Sequence, residues 1–248
     1  MANTSLQKYD ISDNDLNEQT EQAKQGRIGG FSKLFKFPEG KTTIRIAPPR
    51  PDAKVRSPFF IVSEHFVDIP GVGRGGFVCP RAQANQKCPL CEKALKLLAT
   101  GNPKDADAAQ KLSPEPKAYT AFLVRGQESR GWQVAAFTSG THKKLKMILQ
   151  DPDPADGGNF THPMTGFDIV ITRTGQELAT RYDVKARTST RGPLENDPDE
   201  MDDLLASIPD LSKHGNVPTL EEIQAKLRGE RSPKTLSAGK RAEDYSDE

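Results

Sequence analysis

The chain has 248 residues with a hydrophobic content of 34% and a charged content of 28%, which places it at the polar end of globular proteins. Its 19 prolines and 20 glycines exclude a fold dominated by long helices. The net charge of +1 hides an asymmetry, because residues 21–96 carry +8 and residues 195–248 carry −7. A basic body with acidic ends predicts a polyanion-binding surface. The acidic C-terminal region is then expected to compete for this surface or to recruit partners, and scattered, solvated charge is the alternative.

Membrane and secretion signals are missing from the sequence. No apolar run approaches the roughly 18 residues of a membrane span, and no signal peptide opens the sequence. We therefore expect a cytoplasmic protein without a membrane partner. A reducing compartment also suits cysteines that are kept as thiolates for a metal.

The first elements in chain order are a polar segment and two strands. Residues 1–26 predict a mobile N-terminal arm. Alternation over Thr42–Ala47 predicts a strand, and a β-branched and aromatic run over residues 58–69 predicts a second strand that carries His65 near its end. Between the arm and the first strand, the rings of Phe31, Phe35 and Phe37 alternate with the cations of Lys33 and Lys36, a mixture that suits bases and phosphates. The alternative is that the three phenylalanines attach the arm to the core.

A metal site is the strongest motif in the sequence. His65, Cys79, Cys88 and Cys91 have the spacing H-x13-C-x8-C-x2-C and include all three cysteines of the chain. A two-residue gap lets both cysteines of the CPLC sequence reach one ion, and a Cys3His set is typical of closed structural zinc sites. The cofactor that we predict is therefore Zn²⁺.

Other uses of these cysteines fit less well. A thioredoxin-type CxxC needs no third cysteine or histidine and lies near a βαβ pattern, and no such pattern surrounds these cysteines. Three cysteines cannot all pair within one chain, and a zinc deaminase would need H-x-E and P-C-x-x-C, where this sequence has His65-Phe66-Val67 and Lys87 before Cys88. Four protein ligands leave no open position for water, so we expect a structural metal and no enzyme activity.

The second half of the chain predicts two hairpins and several helices. A helix that begins at Pro89 ends at Gly101, and residues 101–117 form a polar excursion broken by prolines. The remaining predicted elements are a hairpin of Ala118–Arg125 and Trp132–Thr138, a basic helix over His142–Gln150, a hairpin of Gly166–Thr174 and Ala179–Ser189, an acidic run at Glu195–Asp203, and helical segments at 200–208 and 219–228.

Many short strands with one helix set between them predict a mainly β protein of the OB type, a small Greek-key barrel with an inserted zinc-binding subdomain and short helices. The expected organisation is an arm (1–26), an OB core (27–194) with the zinc subdomain at about 65–101, an acidic linker with C-terminal helical segments (195–228), and a disordered, acidic-tipped tail (229–248).

Such a barrel binds single strands when a positive groove follows the phosphates and exposed rings stack on the bases. The predicted cations are Arg45, Arg50, Lys54, Arg56, Arg74, Arg81, Lys87, Lys143, Lys144, Arg181 and Arg187. The predicted stacking rings are Phe66, Phe77, Tyr119, Trp132, Phe137 and Tyr182, each of which has packing in the core as its alternative.

Several segments together resemble one known family. FKFPEGKTTIRIAPPR, SPFFIVSEH, the His-Cys-CPLC set, AYTAFLVR and IPDLSK are similar to the zinc-containing single-stranded-DNA-binding proteins of T-even phages. The resemblance runs loosely over residues 27 to about 228. It implies an OB-fold protein of phage DNA replication, recombination and repair, located in the cytoplasm of the infected host.

The same resemblance implies roles for individual segments. Arg45, Tyr119, Phe137 and Tyr182 fall where that family places DNA-contacting or cleft residues, and the acidic C terminus contacts replication or recombination proteins. Self-association on DNA is part of the expectation, although the acidic N terminus lacks the Lys/Arg-rich patch through which neighbours in that family associate. A zinc-ribbon adaptor that binds only replication or transcription proteins is the alternative function.

Overall fold

The computed structural model of the protein describes residues 34–53, 56–176 and 179–230. Within these ranges the chain forms seven β strands and six α helices. The strands are β1 (Gly40–Ile46), β2 (Phe60–Ile69), β3 (Gly73–Val78), β4 (Glu115–Val124), β5 (Gln133–Thr138), β6 (Asp168–Thr174) and β7 (Arg181–Arg187). The helices are α1 (Pro80–Ala84), α2 (Pro89–Leu98), α3 (Pro103–Leu112), α4 (Ser139–Leu149), α5 (Pro198–Ala206) and α6 (Leu220–Leu227).

The strands form one antiparallel sheet around β4. The strand order is β3-β2-β4-β1-β6-β7, and β5 pairs with β4. Tyr119 pairs with residues of both β2 and β5, whereas Phe122 pairs with residues of both β1 and β5. Strand β5 therefore occupies one edge of β4, and β2 and β1 follow one another along the other edge. The predicted mainly β class with short helices is confirmed.

Side chains of β4 alternate between two cores, because successive residues of a strand point to opposite faces of a sheet. Every residue from Ala118 to Val124 is buried, so both faces of this strand are covered. Ala118, Phe122 and Val124 belong to one hydrophobic cluster, and Tyr119, Ala121 and Leu123 belong to another.

The first cluster, here named core A, lies between the sheet and α4. Leu145 and Leu149 of α4 pack there, as the spacing of the predicted basic helix requires. The buried members are Phe37, Ile44, Ile46, Phe59, Ile61, Ala118, Phe122, Val124, Ala135, Phe137, Leu145, Leu149, Phe160, Phe167, Ile169, Ile171 and Val184.

The second cluster, core B, lies between the opposite face and the C-terminal segment. Met201 and Leu205 of α5 pack on this face together with Leu194 and Ile208. Helix α5 begins inside the acidic run, where the Asp197 carboxylate accepts hydrogen bonds from the backbone N–H groups of Asp199 and Glu200. The helical segments expected after residue 195 are therefore present, and they pack onto the sheet.

The region around the cysteines contains more regular structure than the sequence predicts. Residues 71–76 read in the sequence as a flexible, hairpin-like link, and in the structure residues 73–78 form β3, which pairs with β2 as the second strand of a hairpin. The excursion at 101–117 contains α3, which begins at Pro103 behind an Asn102 side chain that accepts a hydrogen bond from Lys104 N–H. This Asn-Pro start was the available signal for a helix.

The other predicted elements agree with the structure to within a few residues at their ends, whereas the short helix α1 was not predicted. Both hairpins, β4–β5 and β6–β7, form with the expected partners. The predicted N-terminal arm, together with Phe31, Lys33 and Lys54, lies outside the described residues, as does the tail beyond residue 230.

Leu145→Ala should lower the free energy of unfolding by about 2–5 kcal/mol, because Leu145 is fully buried in core A and its loss leaves a cavity. Met147 on the same helix is 63% exposed, so Met147→Ala should change stability by less than about 0.5 kcal/mol. Urea unfolding of both variants measures the difference, and equal stabilities would contradict the packing of α4 described above.

Candidate functional site

The four predicted metal ligands come together in the structure. His65 lies on β2, Cys79 follows β3 directly, Cys88 precedes α2, and Cys91 lies in the first turn of α2. Their ligand atoms all lie within 4.8 Å of one another. Because β2 and β3 pair in register with His65 opposite Phe77, the histidine and the first cysteine reach the same end of the hairpin.

Three of the six separations between ligand atoms are close to those around a tetrahedral zinc ion. Cys79 Sγ lies 3.5 Å from Cys91 Sγ, and His65 Nε2 lies 3.2 Å from Cys88 Sγ and 3.6 Å from Cys91 Sγ. Ligands at about 2.0–2.3 Å from a tetrahedral zinc are separated by about 3.3–3.8 Å. Three sulfurs and one imidazole are also the donors that structural zinc sites use, so the residues present fit this ion.

Helix starts place the three sulfurs. Cys79 and Cys88 are the N-cap residues of α1 and α2, and each is followed by a proline that is preorganised for the first helical position. The Ala82 N–H donates to Cys79 Sγ at 3.4 Å. Unpaired N–H groups at a helix N terminus favour negative charge, and the Ala82 N–H in this way partly offsets the rise in the pKa of Cys79.

A second layer of contacts orients the ligands. His65 Nδ1 lies 2.7 Å from the carbonyl oxygen of Leu112 at the end of α3, so Nδ1–H donates there and Nε2 is left for the metal. The buried Gln83 side chain accepts from Ser63 N–H and donates to Ile61 O, which ties α1 to β2. Neither contact could be read from the cysteine spacing, because both join segments that are distant in sequence.

The three thiols differ in their affinity for protons. The hydrogen bond between Cys79 and Cys88 raises the pKa of Cys79 and lowers that of Cys88, and burial raises the pKa of Cys91. Metals bind thiolates, so loading of this centre displaces the protons of the thiols whose pKa is raised.

Burial decides the role of four predicted DNA contacts. Tyr119 and Phe137 are 1% and 2% exposed, and Phe77 is buried next to His65 with 5.3 Å between ring centroids. These three rings are core residues, as their alternative interpretation stated. Arg45 was predicted to project from the sheet, but it is fully buried; its guanidinium donates to His162 O and Gly192 O and lies 3.9 Å from Asp168.

Trp132 and Tyr119 lie on the side of core B. Trp132 Nε1–H donates to the carbonyl oxygen of Leu204 at 2.9 Å, and the Tyr119 ring stacks on His214 with centroids 4.7 Å apart. Tyr119 also donates its hydroxyl hydrogen to the buried carboxylate of Glu64. The C-terminal segment therefore covers the Tyr119 ring and contacts the partly buried Trp132.

Lys144, Arg181 and Tyr182 are the predicted contacts that the structure brings together. They line a cleft of about 910 Å³ between α4 and the β6–β7 hairpin. The cleft lining consists of Phe35, Lys36, Phe37, Thr138, Gly140, Thr141, Lys144, Thr172, Arg173, Thr174, Thr180, Arg181, Tyr182 and Asp183. Sequence reasoning missed Arg173, which alternation along β6 could have placed on the face of core A.

The cleft combines cations with rings. The lining contains four cations, Lys36, Lys144, Arg173 and Arg181, and one carboxylate, that of Asp183. The half-buried rings of Phe35 and Tyr182 pack edge to face against the buried Phe37 ring, with centroid distances of 5.0 Å and 6.0 Å. Phe37 in turn stacks on Phe137. The cleft therefore offers apolar ring surface next to positive charge.

The remaining predicted contacts do not line this cleft. Arg50 forms an ion pair with Asp52, with its Nη2 2.6 Å from the carboxylate. Phe66 lies beneath Lys117 Nζ on β2, 4.8 Å from the ring centroid to the nitrogen. Exposed positions elsewhere on the surface are occupied by Arg56, Arg74, Arg81, Lys87, Lys143 and Arg187.

Comparison with known proteins adds no relative: the sequence matches no protein-family model and no curated protein. Among the described residues, no helix is long and apolar enough to cross a bilayer. The function proposed below is therefore argued from the metal cluster and the cleft.

The purified protein should contain one zinc ion per chain, because all four donors already converge. Cys88→Ser should lose this zinc, whereas the neighbouring, exposed Lys87→Ser should retain it. Elemental analysis of both variants and the unaltered protein measures the ratio. An unaltered protein without stoichiometric metal would rule out the zinc centre.

Zinc retention should also fall as the pH is lowered, because protons compete with the ion for the thiols whose pKa is raised. The sign follows from proton release: zinc binding displaces the protons of Cys79 and Cys91, so a higher proton concentration opposes loading. Competition with a chromophoric chelator from pH 8 to pH 5.5 measures the trend, and retention that is independent of pH would contradict thiolate ligation.

Proposed function

We propose that the protein is a non-catalytic single-stranded-DNA-binding protein that coats and protects DNA during replication, recombination and repair. The observation that carries the proposal is the cleft between α4 and the β6–β7 hairpin, where four cations adjoin two partly exposed rings. Single-strand binders need these two ingredients and no others. Catalytic groups have no part in this proposal.

The charges of the cleft favour a polyanion. Arg181 and Lys36 are exposed, and Arg173 on β6 donates to Phe37 O at 3.4 Å, which holds its guanidinium beside the rings. Five threonines of the lining add hydroxyl groups that can donate to phosphate oxygens. Such contacts follow a backbone without reading its sequence.

The rings favour unpaired bases. Tyr182 and Phe35 are half-buried, so part of each ring is available while the rest is held by the cluster beneath. A base in a duplex is already stacked on its neighbours, whereas a base in a single strand can stack on a side chain at about 1–3 kcal/mol per base.

We infer an OB-type arrangement and a structural zinc ion as the frame for this cleft. Helix α4 follows β5, precedes β6 and packs on core A, which is consistent with a Greek-key barrel that carries a helix between its strands. A Cys3His set fills all four positions of a zinc ion and leaves none for a substrate.

The proposal includes partners and a setting that follow from sequence resemblance. The acidic C-terminal region would recruit replication or recombination proteins, and neighbouring copies would associate on DNA. The setting is the cytoplasm of a phage-infected bacterium. The adaptor function is the competing outcome of the experiment below.

Arg181→Gln should weaken binding of a labelled dT oligomer by about tenfold at low salt, because one charged contact to the backbone is removed. It should also make the log-log salt slope about 0.7 less steep, the contribution of one phosphate on a single strand. Fluorescence anisotropy over a series of salt concentrations measures both quantities.

The matched control is Lys93→Gln on α2, an exposed cation outside the cleft lining, which should bind as the unaltered protein does. Anisotropy of the labelled strand is preferable to Trp132 fluorescence, because Trp132 packs on core B, away from the cleft. If the unaltered protein binds no single strand at low salt, the adaptor function is favoured instead.

Asp183→Asn should tighten binding and make the salt slope steeper. Asp183 Oδ1 lies 3.1 Å from Lys144 Nζ, so this carboxylate neutralises one cation of the cleft and repels an approaching phosphate. Removing its charge frees Lys144 for the strand. The same titration measures the effect, with Asp151→Asn outside the cleft lining as control, and weaker binding of Asp183→Asn would show that the ion pair positions Lys144.

A further inference from the structure

Helix α6 packs against the metal centre although it lies far from the cysteines in sequence. It begins with a capping box: Thr219 Oγ1 accepts from Glu222 N–H, and the Glu222 carboxylate accepts from Thr219 N–H. This start is local to α6, so the helix does not depend on a neighbour for its N-terminal hydrogen bonds. What holds α6 in place must therefore come from its other contacts.

Those contacts lead directly to the β2–β3 hairpin. Ile223 is 1% exposed and shares one hydrophobic cluster with Phe77, Cys79, Cys88 and Leu90, against which Leu227 also packs. Lys226 Nζ donates to the carbonyl oxygen of Gly76 on β3, three residues before Cys79. The apolar side of α6 and its Lys226 therefore both contact β3, the strand that precedes the ligand Cys79.

The end of α6 fits equally closely. A side chain at Gly229 would place its Cβ 2.2 Å from the carbonyl oxygen of Pro70, at the turn between β2 and β3. Gly229 has a φ of +75°, which glycine adopts without strain. The chain leaving α6 is therefore packed against the same hairpin.

We propose that α6 is the closing element of the metal centre, so that zinc loading and docking of α6 stabilise each other. Two of the five buried residues in the shared cluster are cysteines, and their positions are fixed when they ligate a metal. Ile223 in turn limits the access of water to the ligands, as the hydrophobic shell around a metal site does. Linkage requires the two effects to be reciprocal.

The consequence is a metal-dependent position for α6. Loss of zinc releases α6 and exposes the apolar side chains that Ile223 covers. This inference does not depend on the proposed DNA binding, since α6 does not line the cleft between α4 and β7. Failure of DNA binding and failure of this coupling are separate results.

The first experiment measures zinc affinity by competition with a chromophoric chelator. Ile223→Ala should bind zinc about 10- to 100-fold more weakly, the usual range for residues that support metal ligands. Gln224→Ala, the next residue on the exposed side of α6, should bind zinc as the unaltered protein does. If Ile223→Ala does not fold, Lys226→Gln tests the same coupling through the lost hydrogen bond to Gly76, with the same expected direction.

The second experiment measures the reciprocal effect by hydrogen exchange of the unaltered protein with and without chelator. Amides of residues 220–230 should lose protection when zinc is removed, while β4 at the centre of the sheet keeps its protection. Equal zinc affinity of the two variants, retained protection of α6 after chelation, or loss of protection throughout the chain would each overturn the proposal.

Discussion

Burial of β4 on both faces is the constraint on which the rest of the structure depends. A strand that buries one face can leave its other side to water, but every residue from Ala118 to Val124 is enclosed. Core A needs α4 as its cover, and core B needs the segment after Leu194. The acidic C-terminal region is therefore part of the folded body through α5, because its Met201 and Leu205 complete a core that would otherwise face solvent.

The same constraint explains why a cation lies inside the sheet. Arg45 of β1 stands opposite Leu123 and so points toward the side of core B, where the loops around His162 and Gly192 close over it. Burial lowers the pKa of Arg45 to about 10, and the carboxylate of Asp168 opposes that effect. Asp168 is also held by Arg125 Nε at 2.9 Å. The Arg45 guanidinium therefore joins two distant loops by hydrogen bonds, and it is too buried to contact a phosphate.

The sequence was informative where the physics is local. The spacing of Cys88 and Cys91, the helix start at Pro89, and the alternation of the β4–β5 and β6–β7 hairpins each depend on a few neighbouring residues, and the structure contains all of them. The Leu112 carbonyl that orients His65 and the packing of Ile223 on the cysteines depend on contacts between distant segments. For the same reason alternation predicted a face for Tyr119 and Arg45, but it could not predict what covers that face.

The metal cluster and the cleft belong to different parts of the strand order. The cluster is built on β2, β3 and the helices that follow them, at one end of the order, whereas the cleft is built on β6, β7 and α4, at the other. Between them lie β4 and β1, whose side chains are held by cores A and B and not by the metal. Order imposed by zinc should therefore be strongest in the hairpin and α6 and should decline toward β7. A surface that binds a ligand can then keep its shape while the metal end of the molecule changes state.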